Sequence, residues 1–347
     1  MKKSAPLSAV IATALLFSLP TPAAASGPER RFDLQAHRGG LGLVVESTLP
    51  AFANALELGV STLELDVQIT QDGQAVITHD RKVSGGKCLD TGPATPGDPE
   101  YPYVGKYIKD LTLEQVHTLD CGTLTQPQFP GQEARPGERM PLLSEVFDLV
   151  REYRAKQVKL NIETKVEAGA PHETAPREQF VEVVADEIEA AHIGRQVSIQ
   201  SFDWGALKLM GERSPRLPLS ALTNYDFLQV GKPGASPWLG GLDIDDFDGD
   251  PIAAIKTFDA DVFSPVHGFP QGGTVNDPDY KPYVTSEMVE HAHDNDIKVV
   301  VWTVDDKDTM NKLIDDGVDG IITDYPDRLR EVMAARGFNL PKPYHRP

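Results

Sequence analysis

The chain has 347 residues and a strong acidic excess: 52 aspartates and glutamates against 33 lysines and arginines give a formal net charge of −19. Such a charge repels nucleic acid and anionic membrane surfaces at long range, which argues against either as a partner. The net charge does not exclude a small phosphorylated ligand, because a few local cations or a bound metal ion can make the local electrostatic potential positive.

The N-terminus has the order of a secretory signal. Lys2 and Lys3 precede an apolar run at 10–19, and three alanines follow at 23–25. This pattern predicts cleavage after Ala25 and a protein that is secreted or periplasmic. The apolar run is shorter than the roughly 20 residues that a membrane-spanning helix needs, so we expect no stable membrane insertion.

Residues 26–347 are predicted to form one domain, in which short apolar runs alternate with helical patterns such as 49–58, 177–191 and 286–295. This alternation predicts parallel strands joined by crossover helices, and eight strands suit a closed TIM-type (β/α)8 barrel, an α/β fold. A doubly wound open sheet is the alternative, but the sequence lacks the glycine-rich turn of dinucleotide spacing after its first strand. The predicted strands are 32–36, 62–69, 158–164, 197–201, 217–222, 261–264, 298–304 and 320–323.

A Gly- and Pro-rich insertion, about residues 84–140, interrupts the alternation after the second strand. Before it, an Asp-Gly pair at 72–73 separates strand two from the apolar segment 75–78, which predicts a hairpin return strand. The insertion carries both cysteines of the chain, Cys88 and Cys121. In an exported chain the two are expected to form a disulfide, and a catalytic cysteine with a nearby histidine base is the less favoured alternative.

Carboxylates alternate with apolar residues along two of the predicted strands. Side chains two apart share a face, so Glu64 and Asp66 lie together on the second strand, and Glu163 shares a face with Lys165 on the third. A barrel buries both faces of its strands, so these carboxylates are costly unless they are paired or bind a metal. Their convergence predicts a site for one divalent cation, Ca²⁺ or Mg²⁺.

Two histidines end strands beside this cluster. His37 closes the first strand and is followed by Arg38, and His79 closes the hairpin return strand. The C-terminal ends of barrel strands face the active site, and imidazoles titrate near neutral pH, so the two can divide the work of base and acid. Arg38 and Lys165 supply the cations that a phosphoryl group needs.

Five segments of the chain, in order, resemble the glycerophosphodiester phosphodiesterase family, a group of phospholipase-C-like barrels. They are AHRGG, the stretch from Glu46 to Asp80, LNIETK, VVVWTVD and GIITDYP. The resemblance implies a TIM barrel that hydrolyses small glycerophosphodiesters to an alcohol and glycerol 3-phosphate with one divalent cation. By position it also implies that Glu64, Asp66 and Glu163 are the metal ligands and that His37 and His79 are the acid–base pair. The implied substrate-binding residues are Arg38, Lys165, Trp302 as a pocket wall, and Glu46, which would orient His37 or Arg38.

Two departures from the family leave part of this interpretation open. Ser47 stands where the family usually has Asn, and the cysteine-bearing insertion replaces an Arg-Thr pair that commonly follows Asp80. Since the insertion can cap the pocket, the alcohol half of the substrate is not fixed. A phospholipase that acts on intact lipid phosphodiesters and a non-catalytic exported binding protein for phosphorylated alcohols remain alternatives. The polar insertion argues against the phospholipase, and the histidine pair argues against the binding protein. The sequence does not indicate an oligomeric state.

One acidic stretch, residues 243–250, invites a calcium-loop interpretation but does not fit its spacing. Pro251 stands where the sharp-turn glycine of an EF-hand is required. We expect a solvated loop that caps a helix beginning at Pro251.

Overall fold

The computed structural model describes Met1 and residues 31–347, so the predicted signal peptide lies outside the described residues. The strands are β1 (Asp33–Ala36), β2 (Thr62–Ile69), β3 (Ala75–Ile77), β4 (Leu89–Asp90), β5 (Leu119–Asp120), β6 (Lys159–Thr164), β7 (Val197–Ser201), β8 (Leu219–Thr223), β9 (Val262–Pro265), β10 (Gly268–Phe269), β11 (Lys281–Pro282), β12 (Lys298–Val301) and β13 (Gly320–Thr323). The helices are α1 (Leu49–Leu58), α2 (Leu113–Val116), α3 (Leu143–Glu152), α4 (Arg177–Ala191), α5 (Trp204–Arg213), α6 (Tyr225–Leu228), α7 (Pro251–Lys256), α8 (Ser286–Asp294), α9 (Lys307–Asp315) and α10 (Pro326–Ala335).

Eight parallel strands close into a barrel in the order β1, β2, β6, β7, β8, β9, β12 and β13. β1 closes the ring because it pairs with both β2 and β13, so that Gln35 lies opposite Thr62 on one side and Ile322 on the other. β3 adds to β2 as an antiparallel return strand, as the Asp-Gly pair predicts. The predicted TIM-type barrel is thus confirmed.

The outward face of the barrel strands is apolar, and the helices cover it. On β2, Leu63, Leu65 and Val67 are fully buried beneath helices such as α1, whose Phe52 and Leu56 are also fully buried. Part of the inward face is polar, where glutamine, asparagine and glutamate side chains of β1, β2, β6 and β7 hydrogen-bond to one another. On β8, β12 and β13 the inward side chains near the barrel mouth form a second apolar cluster. Since buried polar groups are costly without partners, this network satisfies the polar side chains inside the barrel.

Two predicted elements end earlier than the sequence pattern indicates. β12 stops at Val301 instead of extending to residue 304, because the chain then turns into the loop where Asp306 caps α9. The helical pattern of the insertion spans residues 112–119, but α2 is only four residues long, because Leu119 enters the short β4–β5 pair.

The segment between β3 and α3 has a small core of its own. Tyr103, Ile108 and Leu111 are fully buried there, next to a disulfide that joins Cys88 to Cys121 with 4.0 Å between their Cα atoms. The expected cysteine pairing is therefore confirmed. The bridge fixes the ends of a loop that would otherwise depend on few apolar contacts.

Outside the barrel mouth, the acidic stretch behaves as a capping loop. Asp250 accepts a hydrogen bond from the backbone N–H of Ile252 at the start of α7, and its second oxygen lies 2.8 Å from His291 Nε2. Among the described residues, no helix has the length and apolar character needed to cross a membrane.

Candidate active site

A cavity of about 710 Å³ opens at the C-terminal ends of the barrel strands. Glu46 and Asp66 lie behind its lining, where both contact Arg38. The predicted site residues that line it are His37, Arg38, Glu64, His79, Glu163, Lys165 and Trp302. The structure therefore brings together all of the residues that the sequence selected for chemistry.

A tight turn after β1 delivers His37 and Arg38 to the cavity. Arg38 has a left-handed backbone, with φ of 50°, and Gly39 and Gly40 follow with φ of 86° and 87°. A Cβ on Gly39 would lie only 2.9 Å from Ala51, so the turn needs glycine there. The turn aims the backbone N–H of Arg38 at Glu64 Oε2, 2.9 Å away.

The three predicted metal ligands form one cluster. β2 and β6 are in register so that Asp66 lies opposite Glu163, and the ligand oxygens of Glu64, Asp66 and Glu163 all lie within 4.8 Å of one another. All three side chains are buried, yet neither carboxylate oxygen of Asp66 accepts a hydrogen bond. Buried, unsatisfied oxygens at this spacing fit one divalent cation of the Ca²⁺ or Mg²⁺ type.

The electrostatics of the cluster also suit a cation. Burial raises the pKa of Glu64 to about 7, helped by the negative charge of Asp66, and burial raises the pKa of Glu163 to about 8. Burial acts in the same direction on Asp66, but Lys165 and other nearby cations hold its pKa below the usual range. The cluster thus retains protons near neutral pH, and a bound cation would take their place.

Both predicted phosphate contacts lie against these carboxylates. Lys165 Nζ is 2.8 Å from Glu163 Oε1, and Arg38 Nε is 3.3 Å from Asp66 Oδ2. Arg38 Nη1 also donates a hydrogen bond to Glu46 Oε2 at 2.9 Å. Of the two roles expected for Glu46, the structure shows the contact with Arg38, which fixes the guanidinium at the edge of the cluster.

His37 is held by a carboxylate that the sequence analysis did not select. Its Nδ1 lies 2.5 Å from Asp324 Oδ1, which leaves Nε2 as the ring nitrogen available to a ligand. Burial and Arg38 act to lower the pKa of His37, but the charge and hydrogen bond of Asp324 raise it overall. Asp324 is itself held through its backbone N–H, which donates to Asp305 Oδ1 at 2.9 Å.

His79 has the opposite environment. Its Nδ1 lies 2.9 Å from Asp80 Oδ1, but burial lowers its pKa well below the ordinary value, and Lys165 and Arg38 lower it further. Two histidines whose environments move their pKa values apart are what an acid–base pair requires.

Lys87 and Gln126, which the sequence analysis did not single out, reach the site from the insertion. Lys87 Nζ lies 2.9 Å from Asp80 Oδ2 and 3.2 Å from Glu46 Oε1, so it bridges the partners of His79 and Arg38. Gln126 donates a hydrogen bond to the same Glu46 oxygen at 2.6 Å. The position of Lys87 next to Cys88 marks it as an ordered residue, because a disulfide fixes its neighbours, but does not give its contacts.

Trp302 is one of several aromatic residues in the cavity. It is 8% exposed, and its indole N–H donates to the carbonyl oxygen of Ser264 at 2.9 Å. Phe202, Phe227 and Trp238 also line the cavity, although the sequence analysis did not select them. Phe202 directly follows β7, and its strand-end position was a signal that it faces the barrel mouth.

Known proteins resemble this chain over most of its length. The model of the glycerophosphoryl diester phosphodiesterase family matches residues 37–328. A glycerophosphodiester phosphodiesterase of Caldanaerobacter subterraneus is 29% identical over 302 residues, which cover 87% of this chain and 98% of that protein. One from Bacillus subtilis is 27% identical over 337 residues, 93% of this chain and 95% of that protein.

Solved structures share the fold. A structure from Silicibacter pomeroyi DSS-3 that carries the same family name has a TM-score of 0.72 and 27% identity, with 90% of this chain and 96% of that chain covered. An Oleispira antarctica phosphodiesterase in complex with its product sn-glycerol-3-phosphate has a TM-score of 0.60 over 87% of this chain and 96% of that chain. At 19% identity, this second likeness concerns the fold alone.

Proposed function

Because this chain belongs to the glycerophosphoryl diester phosphodiesterase family and is a phosphoric diester hydrolase, we propose that it cleaves glycerophosphodiesters to an alcohol and glycerol 3-phosphate by metal-dependent histidine catalysis. The observation that carries this proposal is the position of a buried carboxylate triad and two histidines in a single cavity. A binding protein for phosphorylated alcohols would need cations and a cavity, but it would have no use for histidines with opposed pKa shifts.

Glu64, Asp66 and Glu163 would hold one divalent cation, either Ca²⁺ or Mg²⁺. When bound, such an ion supplies positive charge that stabilises the phosphoryl oxygens in the transition state. Arg38 and Lys165 bind the same phosphate, and their fixed positions against the carboxylates mean that little reorganisation is needed as charge builds up.

His79 and His37 then divide the proton transfers. His79, with its lowered pKa, accepts a proton from the attacking hydroxyl as its oxygen bonds to phosphorus. That hydroxyl belongs either to water or to the glycerol of the substrate, and in the second case water then opens the cyclic phosphate to glycerol 3-phosphate. The bond between phosphorus and the alcohol oxygen breaks, and His37, with its raised pKa, donates a proton to that oxygen. Asp324 keeps the ring of His37 oriented throughout.

We also propose that the protein is exported, that its signal peptide is cleaved after Ala25, and that residues 26–347 are one barrel domain with an insertion at about 84–140. The disulfide between Cys88 and Cys121 supports export, since such bonds persist in oxidising compartments. Mass spectrometry of the processed protein tests this proposal, and an N-terminus other than residue 26 contradicts the cleavage site.

The activity is tested with purified protein and a substrate with an uncharged head group, glycerophosphoglycerol, with glycerol 3-phosphate measured by a coupled dehydrogenase. We expect steady release from the native chain and strong loss in Glu163→Gln, which keeps the shape of the side chain but removes a charge from the triad. Substrate bound without product release contradicts the proposal. Activity on an intact phospholipid that exceeds activity on glycerophosphoglycerol would favour the phospholipase alternative.

A further inference from the structure

Three aromatic residues form a wall of the cavity beyond the phosphate-binding cations. Phe227 and Trp238 stack face to face, with ring centroids 4.2 Å apart and planes within 4°. Phe202 meets Phe227 edge-on at 5.5 Å and Trp238 at 6.5 Å. We call Phe202, Phe227 and Trp238 the aromatic wall.

The aromatic wall is available to a ligand, because all three rings line the cavity and are partly exposed. Core aromatics of the same region are different: Trp204, two residues after Phe202, is fully buried and donates its indole N–H to the carbonyl oxygen of Leu222. Packing of the barrel therefore accounts for Trp204 but not for the exposed faces of the wall.

Phe202 connects the wall to the phosphate site. Lys165 Nζ lies 5.8 Å from the centroid of the Phe202 ring, so a phosphate held by Lys165 has the wall beside it. The cavity leaves room for one ester arm of a bound phosphodiester to extend past Phe202. The group at the end of that arm then meets the rings of Phe227 and Trp238.

A carboxylate stands next to the wall. A Cβ built on Gly169 would lie 3.2 Å from Glu167 Oε1 and 3.5 Å from Trp238 Cζ2, so these two atoms are at most 6.7 Å apart, the sum of the two distances. Glu167 Oε2 accepts a hydrogen bond from Arg81 at 2.9 Å, but Arg81 also pairs with Glu173. One guanidinium is therefore shared by two carboxylates, and the rim beside Trp238 keeps a negative oxygen.

From this arrangement we propose that the aromatic wall and Glu167 form a subsite for a quaternary ammonium head group, which makes phosphocholine-type diesters the favoured substrates. Aromatic faces attract such cations through their quadrupole, and the methyl groups gain apolar contact that a polyol head would lack. A primary ammonium is a poorer fit, because it has no methyl groups to contact the rings and is more strongly hydrated. The inference rests on the proposed function and adds the identity of the alcohol.

A pair of isosteric substrates tests the subsite directly. Glycerophosphocholine is compared with the diester of 3,3-dimethylbutanol, in which a carbon replaces the charged nitrogen without a change of shape. We expect the native enzyme to prefer the cation by roughly tenfold or more in kcat/KM, since cation–π attraction acts only on the charged head. Trp238→Leu and, independently, Phe227→Leu should reduce the preference to about twofold or less.

The matched control is Tyr225→Leu. Tyr225 is an aromatic residue of α6, as Phe227 is, but it packs outside the cavity against Phe269 and Tyr283. It should keep the native preference. Glu167→Gln should lower the preference while Phe227 and Trp238 still bind the methyl groups. Two independent variants of the aromatic wall are measured, so that the test still stands if one of them fails to fold. Circular dichroism detects such a failure.

The outcomes separate the inference from the proposed function. A native enzyme that cleaves both isosteres equally well, or wall variants that keep the native preference, overturns the subsite while the hydrolase activity stands. A folded, metal-loaded enzyme that cleaves no glycerophosphodiester overturns the proposed function and the subsite together.

Discussion

Replacement of Lys87 by methionine isolates the contribution of the insertion to catalysis. Lys87 bridges Asp80, the partner of His79, and Glu46, the partner of Arg38. Burial opposes the charge on Glu46, and Arg38 and then Lys87 offset this, so that the pKa of Glu46 falls to about 2. In Lys87→Met, the carboxylates of Asp80 and Glu46 each lose a cation that fixes their orientation.

The expected effects on stability and on activity differ in size. The side chains of Lys87 and Asp80 are 24% and 32% exposed, and ion pairs that are open to water contribute about 1 kcal/mol or less. The second partner, Glu46, is buried, but it keeps Arg38 and Gln126 as partners when Lys87 is replaced. Loss of a residue that orients functional groups typically costs about 10- to 100-fold in activity. Lys87→Met should therefore lower kcat strongly with only a small change in melting temperature.

The assay compares kcat, KM and thermal unfolding of Lys87→Met with those of Lys106→Met. Lys106 is the matched control because it lies in the same insertion and its ion-pair partner is the exposed Glu100, which is not a site residue. Lys87→Arg should restore much of the lost kcat, since it returns the charge. The reasoning is refuted if Lys87→Met keeps kcat within twofold of the native value, or if it loses activity only because it unfolds.

Other predictions follow from the site and the fold. His37→Ala and His79→Ala should each lose about 10²- to 10⁴-fold in kcat yet keep the metal, and a nitrophenyl diester should rescue His37→Ala alone, because its leaving group needs no proton. Cys88→Ser should lower the free energy of unfolding by up to about 4 kcal/mol, the chain-entropy value for a sequence separation of 33, measured by denaturant titration. In the metal-free folded protein the pKa values of Glu64 and Glu163 are about 7 and 8, compared with 4.5 in the unfolded chain. The folded state therefore binds more protons than the unfolded state in this pH range. Its stability should fall as the pH rises from about 5 to 8, and bound metal should remove this slope in thermal unfolding.

Much of the fold and the chemical centre could be predicted because both depend on period-two patterns. The alternation around Glu64, Asp66 and Glu163 fixes which face of β2 and β6 they occupy, and parallel register brings the faces together. The position of His37 could be predicted for a related reason: it ends a strand, and the C-terminal ends of barrel strands face the cavity.

The parts that the sequence analysis missed come from loops. Lys87 and Gln126 reach Glu46 only after a segment without strong periodicity folds onto its own small core, and no local pattern gives that path. Asp324 follows β13 just as His37 follows β1. Nothing in the segment GIITDYP, however, indicates that the side chains of Asp324 and His37 meet at the ends of these two paired strands. Trp238 lies in a short 3-10 helix (Pro237–Leu239) between α6 and α7, where neither a period of 2 nor one of 3.6 applies.

The most direct test of the account is the metal dependence of glycerol 3-phosphate release from glycerophosphoglycerol. The account predicts that a chelator abolishes release, that Ca²⁺ or Mg²⁺ restores it in the native enzyme, and that Glu163→Gln needs far more metal or fails to recover. Undiminished release from a preparation shown by elemental analysis to be free of metal would contradict the assignment of the triad.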